Sequence, residues 1–65
     1  MNNVVATENL ARLEAILAEE KGAEMRAHMS LVMRPNTKSV QAAYKRALKR
    51  VEAATKAVEE AKRSA

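Results

Sequence analysis

Cysteine, phenylalanine, tryptophan and aspartate are absent from this 65-residue chain, and glycine, proline, tyrosine and histidine occur once each. Without cysteine, neither a disulfide nor a thiolate-bound metal can reinforce the small core that a chain of this length buries. Residues 1–7 contain neither a basic start nor a long apolar run, so we expect neither a secretory signal nor a membrane span. The expected location is therefore the cytoplasm.

The same absences argue against catalysis. The chain has no glycine-rich phosphate loop, no nucleophile motif and a single histidine. Glu20, Glu24 and His28 share a helix face at a spacing of four, whereas di-iron bundles use a glutamate and a histidine three residues apart. A charged layer beside a core histidine is the commoner arrangement. We therefore expect no enzyme, no cofactor and no metal site.

The residues that are abundant, namely Ala, Glu, Lys, Arg and Leu, are typical of helices. In the second half, apolar residues alternate spacings of four and three, which is the heptad pattern of a helix that packs on helices. These residues are Val40, Tyr44, Ala47, Val51, Ala54, Val58 and Ala61. The pattern predicts a helix from about Lys38 to about Arg63.

In the first half, Thr7 is a suitable N-cap and predicts a helix over about residues 8–33. Gly22 leaves two alternatives, because it is either a C-cap that splits this region or a tolerated helical glycine. We favour one long helix that bends near Gly22 if it bends at all. Pro35 predicts a turn over residues 34–38. The apolar stripe of the first helix comprises Leu10, Leu13, Ile16, Leu17, Met25, His28, Leu31 and Val32.

Folding the chain back at this turn pairs residues whose numbers sum to about 72. This register places Val32 near Val40 and His28 near Tyr44. Two helices cover only one side of each apolar stripe, so a second copy is expected to cover the remainder. The predicted fold class is all-α: one domain, an antiparallel helical hairpin that dimerises into a four-helix bundle with coiled-coil packing.

Charge is distributed unevenly between the two halves. Residues 1–33 carry three basic and five acidic side chains, for a net charge of −2, and residues 34–65 carry nine basic and three acidic ones, for +6. The strongest ligand signal is a basic cluster that we define as Lys45, Arg46, Lys49 and Arg50. Its like charges at a spacing of four favour an anionic partner. In the alternative interpretation, Glu20 and Glu24 neutralise part of the cluster and the rest is solvated.

Met25, Met29 and Met33 form a row at a spacing of four. Because thioether side chains adapt to irregular surfaces, this methionine row is either a docking groove for a partner protein or, more commonly, part of a bundle core or dimer interface. Both interpretations predict that it is buried in some assembly.

The leading functional hypothesis is a small, non-enzymatic regulator, adaptor or inhibitor that binds a partner protein as a homodimer. The basic cluster and the methionine row are its expected contact surfaces, and its size and composition are compatible with an accessory protein of a phage or plasmid. The alternative is an RNA- or DNA-binding bundle that uses the basic second helix. Such a bundle is similar in architecture to small plasmid copy-number proteins, although the chain shares no residue motif with them.

Overall fold

Two α-helices make up the fold. The computed structural model describes residues 3–64, with the side chains of residues 7–64, and contains α1 (Asn3–Met33) and α2 (Lys38–Ser64). The helices pack against each other along a rod of 53 × 14 × 12 Å, which confirms the predicted all-α helical hairpin. The radius of gyration is 15.0 Å, whereas a compact domain of this length has about 11 Å. The hairpin is therefore elongated and has little interior.

The first helix begins earlier than the sequence suggested. Thr7 lies inside α1, which begins at Asn3, so the predicted start near residue 8 is wrong. A threonine marks a helix start only where the preceding residues leave the helix, and here Val4, Val5 and Ala6 continue it. The expectation about a secretory signal concerns residues 1–7, of which Met1 and Asn2 lie outside the described residues.

The connection between the helices is a tight turn centred on Pro35 and Asn36. The amide of Thr37 donates to the carbonyl of Arg34 at 3.3 Å, which closes the turn. The side-chain amide of Gln41 then donates to the carbonyl of Pro35 at 2.7 Å. This bond ties the first turn of α2 back to the connection. With so short a connection, the two helices run antiparallel.

Gly22 is an ordinary helical residue. It does not have a positive φ, and α1 passes through it without interruption. A Cβ at this position would meet only Nη1 of Arg26, at 3.6 Å, which is ordinary van der Waals contact. The Arg26 side chain therefore lies over Gly22, and the sequence alternative in which Gly22 splits the helix is wrong.

The interface between the helices is thin. Among the described side chains, only Ala47 and Val58 of α2 are buried, with exposed fractions of 8% and 5%. The heptad residues around them, such as Val51 and Ala54, are half-buried. On α1 the half-buried residues that repeat at helical spacing are Leu10, Leu13, Leu17, Glu20, Glu24, Ala27 and Leu31. Small side chains and one-sided burial leave the hairpin with few apolar contacts of its own.

The predicted stripe of α1 is correct at four positions, which are half-buried, and wrong at four, which are exposed: correct at Leu10, Leu13, Leu17 and Leu31, and wrong at Ile16, Met25, His28 and Val32. Val32, which the register placed beside Val40, is 62% exposed, and Met25 is 68% exposed. The inward face continues instead through Ala27, which the predicted stripe omitted, to Leu31, which it included. The error arose because the apolar residues in this part of α1 cover more than half of the helix circumference, so spacing alone does not select which of them face α2.

Candidate interaction surfaces

The basic cluster lies on the exposed side of α2. All four of its side chains are exposed, and at about 100° per residue Lys45 and Lys49 fall nearly opposite the seam that contains Ala47 and Val58. Neither Glu20 nor Glu24 forms an ion pair with the cluster in residues 7–64. Within these residues α1 therefore supplies no ion pair to the cluster.

The positive surface extends beyond the cluster along α2. Lys38, Lys56 and Arg63 are also exposed and fall on the same side of the helix as Lys45 and Lys49. A glutamate interrupts this surface, since Oε1 of Glu52 lies 3.8 Å from Nζ of Lys56. Both side chains of this pair are 69% exposed, so the pair contributes little stability. Lys49, Glu52, Ala53 and Lys56 line a shallow, open depression that suits a surface contact better than an enclosed small molecule.

The methionine row faces away from α2. Met25, Met29 and Met33 are 68%, 57% and 77% exposed, and Val32 lies beside them. Single exposed apolar residues are normal, but adjoining ones on one helix face form a patch of the kind found at interaction sites. The structure therefore brings the predicted methionine residues together on one surface and leaves that surface uncovered in the single chain.

The predicted pairing of His28 with Tyr44 is present. Their ring centroids lie 5.6 Å apart with the planes inclined at 50°, a tilted aromatic contact between α1 and α2. His28 itself is exposed, so it caps the edge of the interface rather than its core. In the described part of the chain, no three histidine or acidic residues are grouped so that they could hold a metal ion.

Sequence reasoning missed two features of α1. The first is that Met25 and Met29 of the methionine row continue a heptad of small residues on the same face, which we name the outer stripe: Ala11, Ala15, Ala18, Gly22, Met25, Met29 and Val32. Its regular spacing is visible in the sequence only when alanine and glycine are included as apolar positions. The second is Glu20, whose Oε2 atom is buried without a hydrogen-bond partner in the seam with α2. A glutamate in an acidic run gives no sequence signal of burial.

Neither described helix combines the length and the apolar character that crossing a lipid bilayer requires. In comparisons with protein-family models, curated proteins and solved structures, nothing matches the chain.

Proposed function

We propose that this chain is a non-enzymatic interaction protein that binds an acidic surface of another protein through the basic cluster of α2. It would act as a regulator, adaptor or inhibitor, because occupying a partner's surface requires no chemistry. One observation carries the proposal: four exposed cations lie within two helical turns, and none of them forms an ion pair in residues 7–64.

The arrangement of the cluster favours an anionic ligand on electrostatic grounds. Lys45 with Lys49 and Arg46 with Arg50 are like-charged pairs at a spacing of four, and each pair destabilises a helix by roughly 0.2–0.5 kcal/mol. An acidic partner removes this repulsion and adds attraction of its own. Complementary charge of this kind mainly accelerates association and selects the partner.

Two features favour a protein over a nucleic acid as the partner. The positive surface is interrupted by Glu52, which pairs with Lys56 and would lie close to a phosphate backbone that followed this side of α2. The chain also lacks a free aromatic platform for stacking bases, because its one aromatic residue outside histidine, Tyr44, is half-buried against His28.

Nucleic-acid binding is the second candidate function. Its support is the length of the positive surface, since Lys38 and Arg63 bound a stretch of about 37 Å along α2 at 1.5 Å per residue. A duplex backbone could follow such a stretch. Binding of this type weakens steeply as salt concentration rises.

The two candidates are separated by fluorescence anisotropy with two labelled probes, a glutamate-rich helical peptide and an RNA duplex of equal total charge. The test variant is Lys45→Glu/Lys49→Glu. The matched control is Arg12→Glu/Lys62→Glu, which changes the net charge equally at exposed positions outside the cluster.

We expect the chain to bind the peptide more tightly than the duplex. We also expect the cluster variant to lose at least roughly tenfold in peptide affinity, whereas the control variant loses little. Preferential binding of the duplex, again dependent on the cluster, would establish the second candidate instead. Equal losses in both variants would show that only net charge matters and would refute a site at the basic cluster.

A further inference from the structure

The outer stripe of α1 has the spacing of a second packing seam. Its seven residues alternate spacings of four and three from Ala11 to Val32, and all are exposed except Gly22, which is half-exposed. At about 100° per residue, this stripe lies on nearly the opposite side of α1 from the residues that face α2. The heptad spacing is that of a helix packed on a further helix, yet within residues 7–64 nothing covers it.

The surface area of the chain is consistent with a missing partner. The accessible surface is 5309 Å², whereas a compact monomer of 7.2 kDa exposes about 4,100 Å². The excess of about 1,200 Å² is more than the approximately 800 Å² that each partner buries in a standard stable interface. One additional helix packed along the outer stripe would therefore reduce the accessible surface of the chain toward the value for a compact monomer of the same mass.

We propose that the outer stripe binds the same stripe of a second copy of this chain, with the two α1 helices antiparallel. In this register, two residues that face each other across the interface have residue numbers that sum to 47. The interface is then two-fold symmetric, as most homodimer interfaces are. Its axis passes level with Ala23 and Glu24.

Side-chain size supports this register, because each large residue of the stripe faces a small one. Ala15 faces Val32 of the second copy, and Ala18 faces the second copy's Met29. At the centre, Gly22 faces the second copy's Met25. The small half of one stripe thus accommodates the bulky half of the other, and the layers fill evenly as a packed core requires.

Charge next to the stripe supports the same register. Glu19 and Arg26 are exposed and flank the stripe on one side, and neither forms an ion pair within the described side chains. In the proposed dimer, each Glu19 lies near Arg26 of the second copy, which gives two complementary pairs. The Arg26 guanidinium only has to leave its position over Gly22 to reach that carboxylate.

The other simple arrangements fit less well. A parallel dimer places Glu14 beside the second copy's Glu19 and Lys21 beside the second copy's Arg26, so like charges meet on both flanks. An antiparallel dimer shifted by one heptad, in which the numbers of facing residues sum to 40, brings the two Glu19 side chains together. A shift by a further heptad, in which the numbers of facing residues sum to 33, leaves Met25, Met29 and Val32 all without a facing residue in the stripe.

This dimer would arrange four helices in the order α2, α1, α1, α2, because α2 and the outer stripe lie on nearly opposite sides of α1. The two methionine rows are then largely covered. The basic clusters remain on the outside, where they are free to bind an acidic partner.

Disulfide trapping tests the register directly, since the natural chain has no cysteine. The variant Ala18→Cys/Met29→Cys places two thiols in one facing layer of the proposed dimer. They are about 16 Å apart within one helix at 1.5 Å per residue, too far to bond to each other. The matched control is Ala15→Cys/Met25→Cys. Its two thiols face each other only in the dimer shifted by one heptad, in which the numbers of facing residues sum to 40.

We expect mild oxidation to convert the first variant to a covalent dimer on a non-reducing gel and to leave the control monomeric on that gel. Cross-linking of the control alone would overturn the register. If neither variant cross-links and light scattering shows a folded monomer at micromolar concentration, the proposal is wrong. None of these outcomes depends on what the basic cluster binds.

Charge exchange provides an independent test by sedimentation of the non-covalent dimer. Glu19→Arg alone turns two attractive pairs into repulsive ones, and we expect the dissociation constant to rise about tenfold. Adding Arg26→Glu to the same chain restores complementary pairs and should restore the affinity. If the double variant dissociates as readily as the single one, Glu19 does not face Arg26 and the register is refuted.

Discussion

Replacing Glu20 with leucine should stabilise the hairpin. Glu20 is half-buried in the seam between α1 and α2, three residues after Leu17 and seven before Ala27, both of which also face α2. Its Oε2 atom is buried and has no hydrogen-bond partner. The folded chain therefore removes one carboxylate oxygen from water without replacing its hydrogen bonds.

Two contributions determine how much Glu20→Leu changes the free energy of unfolding. A buried polar atom without a partner costs about 1–3 kcal/mol. A leucine at a half-buried position adds about 1 kcal/mol of apolar burial, roughly half of the value for a fully buried side chain. Allowing for imperfect packing of the new side chain, Glu20→Leu should raise the free energy of unfolding by about 2 kcal/mol. For a domain of this size, such a gain corresponds to a rise in Tm of roughly 10 °C.

Thermal and urea unfolding followed by far-UV circular dichroism measure this change at a fixed chain concentration, because dimerisation would make Tm concentration-dependent. Glu60→Leu is the control, since Glu60 is exposed on α2 and its replacement should change the stability little. An unchanged or lower Tm for Glu20→Leu, with the control also unchanged, would refute the reasoning. It would mean that the Glu20 carboxylate reaches water or a partner in solution.

Two further predictions concern the interface and the turn. Val58→Ala removes the most buried described side chain and should lower the free energy of unfolding by about 2 kcal/mol, as measured in urea; a loss below about 0.5 kcal/mol would show that the seam is not packed there. Gln41→Ala removes the 2.7 Å bond to the carbonyl of Pro35, which is exposed, so it should cost only about 0.5 kcal/mol in the same assay. A cost above about 2 kcal/mol for Gln41→Ala would mean that the turn contributes more to the hairpin than this single bond.

Much of the fold was predictable because it depends on local patterns. The break at Pro35 follows from a residue that lacks an amide donor, and the seam of α2 follows from a heptad with only one apolar side. The contact between His28 and Tyr44 then follows from the length of the turn, because antiparallel helices joined by a short connection have one register.

The sequence predicts which residues form the candidate surfaces, but it does not predict what those surfaces contact in the folded chain. The basic cluster was found correctly as an exposed group, because like charges four residues apart on a helix lie on one side. Whether Glu20 and Glu24 pair with the cluster depends on the distance between the carboxylates of α1 and the cations of α2, which only the structure gives. No ion pair connects them to the cluster, and Glu20 points its Oε2 atom into the seam instead.

The sequence by itself determined two helices, the position of the turn and the face of α2 that packs on α1. It did not determine which side of α1 packs on α2, because α1 carries two apolar stripes and periodicity fixes only their angle to each other. The tertiary structure decided that Leu13, Leu17 and Leu31 face α2 and that Met25 and Met29 face away. The physical reason is that the helix pair selects the face that packs best against the alanine-rich seam of α2, and this depends on contacts between distant residues that spacing along one helix does not contain.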